Sequence, residues 1–192
     1  MRRAIFVTCL LTLLLLPACR RPGASPERVE DDVGRYQVQG TLSTAECGEG
    51  YPAPETMSFV VDLMHLPGSS RGYWQIPDGP VVEGILDRAG GFRFQSATQA
   101  VAIEPDPGWE VPGCTLELLE VVDGTLEAGA STEADAGVAP VPEARIAGST
   151  RMRIAPVPGG DCRPLVSLYG GPFPELPCRI EYRLAGERIG SP

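Results

Sequence analysis

The chain has 192 residues, with 25 acidic and 16 basic side chains and a formal net charge of -9. Apolar residues make up 43%, which suffices for a buried core and excludes wholesale disorder. Lysine and asparagine are absent, which excludes P-loop phosphate chemistry, Schiff-base catalysis and N-linked glycosylation. The acidic balance argues against nucleic acid as a partner, because so few scattered arginines cannot form a basic patch.

The first residues have the features of an export signal. Arg2 and Arg3 precede an apolar run over residues 4–16, which is shorter than the roughly 20 residues that a bilayer-spanning helix needs. The run closes in a branched apolar residue, a tolerant position, a small residue and a cysteine, namely Leu16-Pro17-Ala18-Cys19. This tetrapeptide resembles the lipobox of bacterial lipoproteins.

The resemblance covers the first 19 residues only. It implies cleavage of a signal peptide over 1–18, a diacylglyceryl group on the sulfur of Cys19, and a further acyl chain such as palmitate on its amine. Two or more acyl chains anchor a protein stably without spanning the membrane. Arg20, rather than an aspartate, follows the cysteine, which favours an outer membrane lipoprotein in the cell envelope, facing the periplasm or the exterior.

Two segments of the chain are predicted to remain outside the folded domain's sheet. Residues 19–35 comprise the lipidated cysteine and a flexible tether, because the residues after Cys19 are polar and include proline, glycine and serine. Residues 129–144 are mostly small or acidic, with two prolines, and predict a long low-complexity loop.

The rest of the chain alternates between apolar and polar residues. The period of two is clearest over 36–42, 92–95 and 179–184. Strict alternation is typical of strands with one buried and one wet face, and such sheets are usually antiparallel. We therefore predict a single all-β domain over 36–192. Its expected architecture is an antiparallel meander of about eight to ten short strands, closing into a barrel or a sandwich.

Turn signals and one change of phase refine this prediction. Three dipeptides are typical of hairpin turns: Asp78-Gly79, Gly90-Gly91 and Asp123-Gly124. After Cys114 the alternation starts in one phase and continues in the other, which predicts a bulge near Leu118 and Leu119. Glu117, Glu120 and Glu181 are expected on the wet faces of their strands.

Four cysteines remain for the domain once Cys19 is lipidated: Cys47, Cys114, Cys162 and Cys178. An even number in an exported protein predicts disulfides, and four cysteines allow three pairings. Nearness in sequence favours Cys162 with Cys178, leaving Cys47 with Cys114. A tetrathiolate zinc site is the alternative, but no CxxC spacing supports it.

The loop over 162–178 is rich in proline and glycine and contains Tyr169 and Phe173. A stapled loop with exposed aromatic side chains suits recognition of a partner. The same loop would also suit a simple cap over the open end of a barrel.

Candidates for chemistry are sparse. The single histidine, His65, has serines nearby but no GxSxG motif. Glu104, Asp106 and Glu110 form an acidic turn without the calcium-loop pattern, and only their separation in space could qualify them for hydrolysis. No catalytic, cofactor-binding or metal-binding residue is therefore assigned.

Other candidates depend on the strand arrangement. Arg151, Arg153, Arg179 and Arg183 fall on predicted wet faces, and would form an anion-binding strip only if their strands are neighbours. Gly40 and Gly84 fall on predicted inward positions, where they either leave room for a cavity or allow the strands to coil. Trp74 and Trp109 are expected to fill the core or its rim.

These features favour a non-catalytic binding or envelope-structural module, attached to the membrane through Cys19 and needing no cofactor. The expected partner is an envelope protein or a small apolar ligand. One alternative is a carrier that resembles lipocalin-type barrels in plan, and another is an envelope hydrolase using acidic residues. A carrier requires an apolar cavity inside the barrel, whereas a hydrolase requires carboxylates or His65 converging in a cleft.

Overall fold

A computed structural model describes residues 31–105, 112–127 and 144–192. The predicted signal peptide, the cysteine of the predicted lipobox, part of the acidic turn (Asp106 and Glu110 with Trp109) and nearly all of the predicted low-complexity loop lie outside these residues. Within the described ranges, no helix is long and apolar enough to cross a bilayer.

Eight antiparallel strands form one closed barrel. Each strand pairs with the next along the chain, and the last pairs with the first. The strands are β1 (Asp31–Ala45), β2 (Thr56–His65), β3 (Arg71–Gln75), β4 (Val81–Leu86), β5 (Gly91–Ile103), β6 (Cys114–Glu127), β7 (Arg145–Pro156) and β8 (Cys178–Gly190). The predicted meander is confirmed, and the barrel is the form it takes. We call the end where β1 begins the lower end, and the end where β1 finishes the upper end.

Alternation within the strands builds the core. Odd positions of β2, such as Val61 and Leu63, face inward, and so do even positions of β8, such as Ile180 and Tyr182. The core extends over the lower half of the barrel and along the seam between β1 and β8. Burying these side chains removes apolar surface from water at about 25 cal/mol per Å² and is the main stabilising term.

Two of the three predicted turns are present. Asp78 lies in the connection between β3 and β4 and has a φ of 63°, in the left-handed region that tight turns require. Gly90, with a φ of 87°, lies in the connection between β4 and β5. Both positions favour residues that tolerate this backbone conformation.

The third predicted turn, Asp123-Gly124, is wrong, because β6 continues through it. Gly124 faces Gly148 across the ladder to β7. A Cβ on Gly124 would lie only 2.4 Å from the carbonyl oxygen of Ala147 and 2.8 Å from Cζ of Phe92. Glycine is therefore required here by the close approach of two strands, and not by a turn.

The bulge expected near Leu118 and Leu119 is also absent from the ladders that β6 makes with β5 and β7. The register stays in one phase, so Leu118 faces inward and Leu119 outward. Glu120 then faces inward as well, opposite Ser96 on β5. Its placement on a wet face was wrong, and the apparent change of phase marks a carboxylate inside the barrel.

The favoured cysteine pairing is wrong too. The disulfides join Cys47 to Cys178 and Cys114 to Cys162, with Cα–Cα distances of 5.1 and 5.0 Å. Both lie at the upper end. Closure of the barrel brings the end of β1 beside the start of β8, which places Cys47 next to Cys178 despite a sequence separation of 131.

Candidate functional site

The upper half of the barrel contains a cavity of about 530 Å³. Residues of β2 to β7, most of them inward-facing, and the connection between β3 and β4 line it. They are mostly apolar, and the described lining comprises Met57, Ser58, Phe59, Trp74, Ile76, Pro80, Val82, Phe94, Ser96, Thr98, Leu118, Glu120, Val122, Thr150 and Met152.

Small side chains at the upper inward positions of β5 explain why this space is not filled. Phe92 and Phe94 fill the barrel where β5 faces β4, but the next inward residues are Ser96 and Thr98. Gly40 and Gly84 do not supply the space. A Cβ on Gly40 would meet Met57 at 2.8 Å, and one on Gly84 would meet the carbonyl oxygen of Arg93 at 2.3 Å.

The sheet is interrupted beside the cavity, between β4 and β5, and we infer that this gap is the mouth of the cavity. Only three residue pairs connect these strands, and the ladder stops at Gly84 and Phe94. Above Phe94, β5 pairs with β6 alone among the described strands. As a result, the inward-facing Thr98 is exposed, and Ile76 on the rim is 46% exposed.

Aromatic rings form the floor and one wall. The indole of Trp74 lies with its ring centroid 5.7 Å from Phe94, 6.0 Å from Phe92 and 6.3 Å from Phe59. These separations are within the range at which aromatic pairs attract one another. The cluster therefore presents an apolar surface to the cavity. Trp74 belongs both to the buried core and to the cavity wall.

One carboxylate is present in this apolar interior. Glu120 is the only ionisable side chain of the described lining. The hydroxyl of Thr150, which is 2% exposed, donates a hydrogen bond to its Oε1 at 3.1 Å. No other described group hydrogen-bonds to this carboxylate. Sequence reasoning missed this residue, although the change of phase around it was the available signal.

A second pair of polar groups is buried near the lower end. Tyr36 is directly opposite Arg188 in the ladder between β1 and β8. The Tyr36 hydroxyl and Nε of Arg188 are buried and have no hydrogen-bond partner among the described residues. Burial raises the pKa of the Tyr36 phenol, and the Arg188 guanidinium opposes this shift with a smaller effect.

The other candidate residues do not converge. His65 ends β2 at the lower end, where its Nε2 is 2.9 Å from the carbonyl oxygen of Ser69, whereas Glu120 lies in the cavity. Glu104 is exposed, and its acidic neighbours fall outside the described residues. The described ranges contain no group of three or more side chains that could hold a metal ion.

The arginine-bearing strands are neighbours, as an anion-binding strip requires, and Arg153 faces Arg179 directly. However, two of the four arginines are paired with carboxylates. Arg151 pairs with Asp123, and Arg179 pairs with Glu46 at 2.8 Å. Exposed pairs of this kind contribute little to stability.

The loop over 162–178 covers one side of the upper end. Phe173 is 5% exposed and packs against Gly50, whereas Tyr169 is 59% and its neighbour Leu168 81% exposed. Phe173 therefore anchors the loop to the barrel, and Leu168 and Tyr169 are the large apolar side chains that the loop leaves exposed. None of the described lining of the cavity comes from this loop.

Comparison of the chain with protein-family models, with curated proteins and with solved structures finds no match.

Proposed function

We propose that this chain is a non-catalytic, membrane-attached protein that binds a small, mostly apolar ligand inside its barrel. The cavity of about 530 Å³ carries the proposal. Small-molecule sites typically measure about 300–1,000 Å³ and combine apolar walls with a few polar groups. The interior of an eight-stranded barrel is otherwise filled by its own side chains, so an open cavity of this size calls for an occupant.

The membrane attachment rests on the lipobox and its Cys19. Because β1 begins at the lower end and the cavity lies in the upper half, a tether joined to β1 would hold the cavity at the end of the barrel farther from the lipid. This orientation suits capture of a ligand from the periplasm or the exterior.

The attachment has its own test. A Cys19→Ala variant is expected to leave the membrane fraction, since one acylated cysteine supplies the whole anchor. Full retention of that variant in the membrane would contradict the lipoprotein assignment.

Ligand binding is tested first by native mass spectrometry of residues 20–192, exported to an oxidising periplasm. All eight strands and both disulfides lie between Asp31 and Gly190, so this shortened chain retains the complete barrel. We expect an added mass that disappears on denaturation.

A pair of variants on β5 tests the location of the ligand. Ser96→Phe places a ring in the cavity, whereas Ala97→Phe places the same ring on the outer face of the same strand. With the neutral probe N-phenyl-1-naphthylamine, we expect one molecule bound per chain, a loss of at least about tenfold in affinity for Ser96→Phe, and little change for Ala97→Phe.

Failure of the natural chain to bind the probe, together with a bare mass, would overturn the carrier proposal. The second candidate is then an envelope-structural module that recognises a protein through Leu168 and Tyr169. Its supporting observation is the exposure of these two apolar side chains on a loop whose base is held by disulfides.

A further inference from the structure

We propose that the cavity selects cationic amphiphiles, such as a primary ammonium group on an apolar chain, and rejects carboxylate amphiphiles of the same length. This inference rests on the proposed function and names the class of ligand. The observation behind it is the isolated acid Glu120 in an otherwise apolar lining.

The carboxylate is positioned by its surroundings. Glu120 comes from the middle of β6, which is paired on both sides, with β5 and with β7. Thr150 on β7 is buried and holds one carboxylate oxygen. The second oxygen accepts no hydrogen bond from any described residue, and it is not among the buried polar atoms that lack a partner. It is thus available to a donor entering through the mouth.

The charge balance of the cavity determines the sign of the ligand. A basic residue is lacking in the described lining, so no side chain there neutralises Glu120. Charges interact strongly in a low-dielectric interior, and placing a second carboxylate beside an existing one is correspondingly unfavourable. An ammonium group gains the opposite interaction and brings hydrogen-bond donors to the open oxygen.

The aromatic wall adds to this preference. Trp74, Phe94 and Phe59 line the same cavity, and the faces of aromatic rings attract cations. The formal net charge of -9 also raises the local concentration of cations around the molecule. These contributions favour the same ligand class, whose apolar chain would cover Leu118, Val122 and Met152.

The test compares three probes of one chain length at pH 7: dodecylamine and dodecanoic acid below their micellar concentrations, and dodecanol below its solubility limit. Fluorescence of Trp74 reports binding in a Trp109→Phe background, which removes the other tryptophan. We expect the amine to bind at least about tenfold more tightly than the acid, with the alcohol between them.

A matched pair of variants separates the cavity charge from the charge of the whole surface. Glu120→Gln and Glu117→Gln remove the same charge from the same strand, but Glu117 faces outward, where Gln99 approaches it at 3.5 Å. Glu120→Gln is expected to abolish the preference for the amine and to keep binding of the alcohol. Glu117→Gln is expected to leave the order of the three probes unchanged.

The outcomes distinguish the two proposals. If none of the probes binds to the natural chain, the proposed function itself fails. If the alcohol binds but the acid binds as tightly as the amine, or if both glutamine variants lose the preference equally, ligand binding stands and the selection by Glu120 is wrong. The intact mass of each variant shows whether both disulfides have formed, and cooperative thermal unfolding shows that the variant is folded.

Discussion

Two buried tyrosines show how the same residue type serves different purposes in this barrel. The Tyr182 hydroxyl donates to the carbonyl oxygen of Pro54 at 3.1 Å, whereas that of Tyr36 has no described partner. A buried polar group without a partner destabilises the fold, whereas a satisfied one contributes about 1 kcal/mol. Removing the two hydroxyls should therefore affect stability differently.

We expect Tyr36→Phe to leave stability at pH 7 unchanged or slightly higher, and Tyr182→Phe to lower it by about 1 kcal/mol. Denaturant unfolding of both variants beside the natural chain measures the difference. Equal destabilisation by both substitutions would show that the Tyr36 hydroxyl is satisfied after all.

The burial of Tyr36 also predicts that the stability of the fold depends on pH in the alkaline range. Because burial raises the pKa of Tyr36 in the folded state, its neutral form is favoured there. The contribution of this neutral phenol to the free energy of unfolding is fully present below the pKa of about 10 that the tyrosine has in the unfolded chain. It is lost as the pH rises through the higher pKa of the folded state. Unfolding free energy measured from pH 8 to pH 11.5 should fall less steeply in Tyr36→Phe, and an identical slope would contradict this assignment.

Gly124 provides a test of close strand approach. An alanine there would place its Cβ 2.4 Å from a backbone oxygen, so β6 and β7 must shift apart. We expect Gly124→Ala to destabilise the barrel by about 1–3 kcal/mol. Gly190→Ala is the control, since nothing lies within 4 Å of the added atom. Equal stability of the two variants in thermal unfolding would contradict the packing argument.

At the scale of elements, the shortest ladder is the one between β4 and β5. Three residue pairs join them, whereas twelve pairs join β5 to β6. The upper part of β5 is therefore hydrogen-bonded to a described strand on one side only, which leaves every second backbone N–H pointing toward the mouth. This junction is the expected path of ligand entry.

Amide hydrogen exchange tests whether the upper part of β5 is hydrogen-bonded on one side only. Between Gln95 and Val101, alternate amides should exchange markedly faster than their neighbours, which donate to β6. Saturating ligand should slow the fast set. Uniform protection along the segment would mean that the barrel is closed above Phe94.

At the scale of the whole molecule, the two disulfides fix the upper end. Chain entropy predicts that removing Cys47–Cys178 costs about 5 kcal/mol and removing Cys114–Cys162 about 4, given sequence separations of 131 and 48. Total stability is typically about 5–15 kcal/mol, so either double serine variant should be marginal. Urea unfolding of the two variants measures these losses.

The connectivity is checked by peptide mapping without reduction. Cleavage after Glu175 separates Cys162 from Cys178. We expect the peptide with Cys178 to remain linked to the one with Cys47. A direct link between Cys162 and Cys178 would instead support the pairing favoured by sequence proximity.

The sequence was sufficient to predict the strands, because alternation depends only on which face each residue shows to the core. The pairing of the first strand with the last, which closes the barrel, could not be predicted from such a local pattern. Cys47 pairs with Cys178 only because β1 and β8 are neighbours, a relation that no local pattern contains. Glu120 was misplaced for a related reason: a carboxylate facing inward violates the rule by which inward positions are recognised, and such violations concentrate at functional sites.

The seam between β1 and β8 also makes this barrel suited to circular permutation. Arg35 faces Gly190 across the seam, so a short peptide could join the two ends of the barrel without disturbing a ladder. New termini opened in the connection between β4 and β5 would interrupt the shortest pairing in the sheet. In the permuted chain, Cys47–Cys178 would close a much shorter loop and stabilise the fold less, while the cavity would keep the same wall.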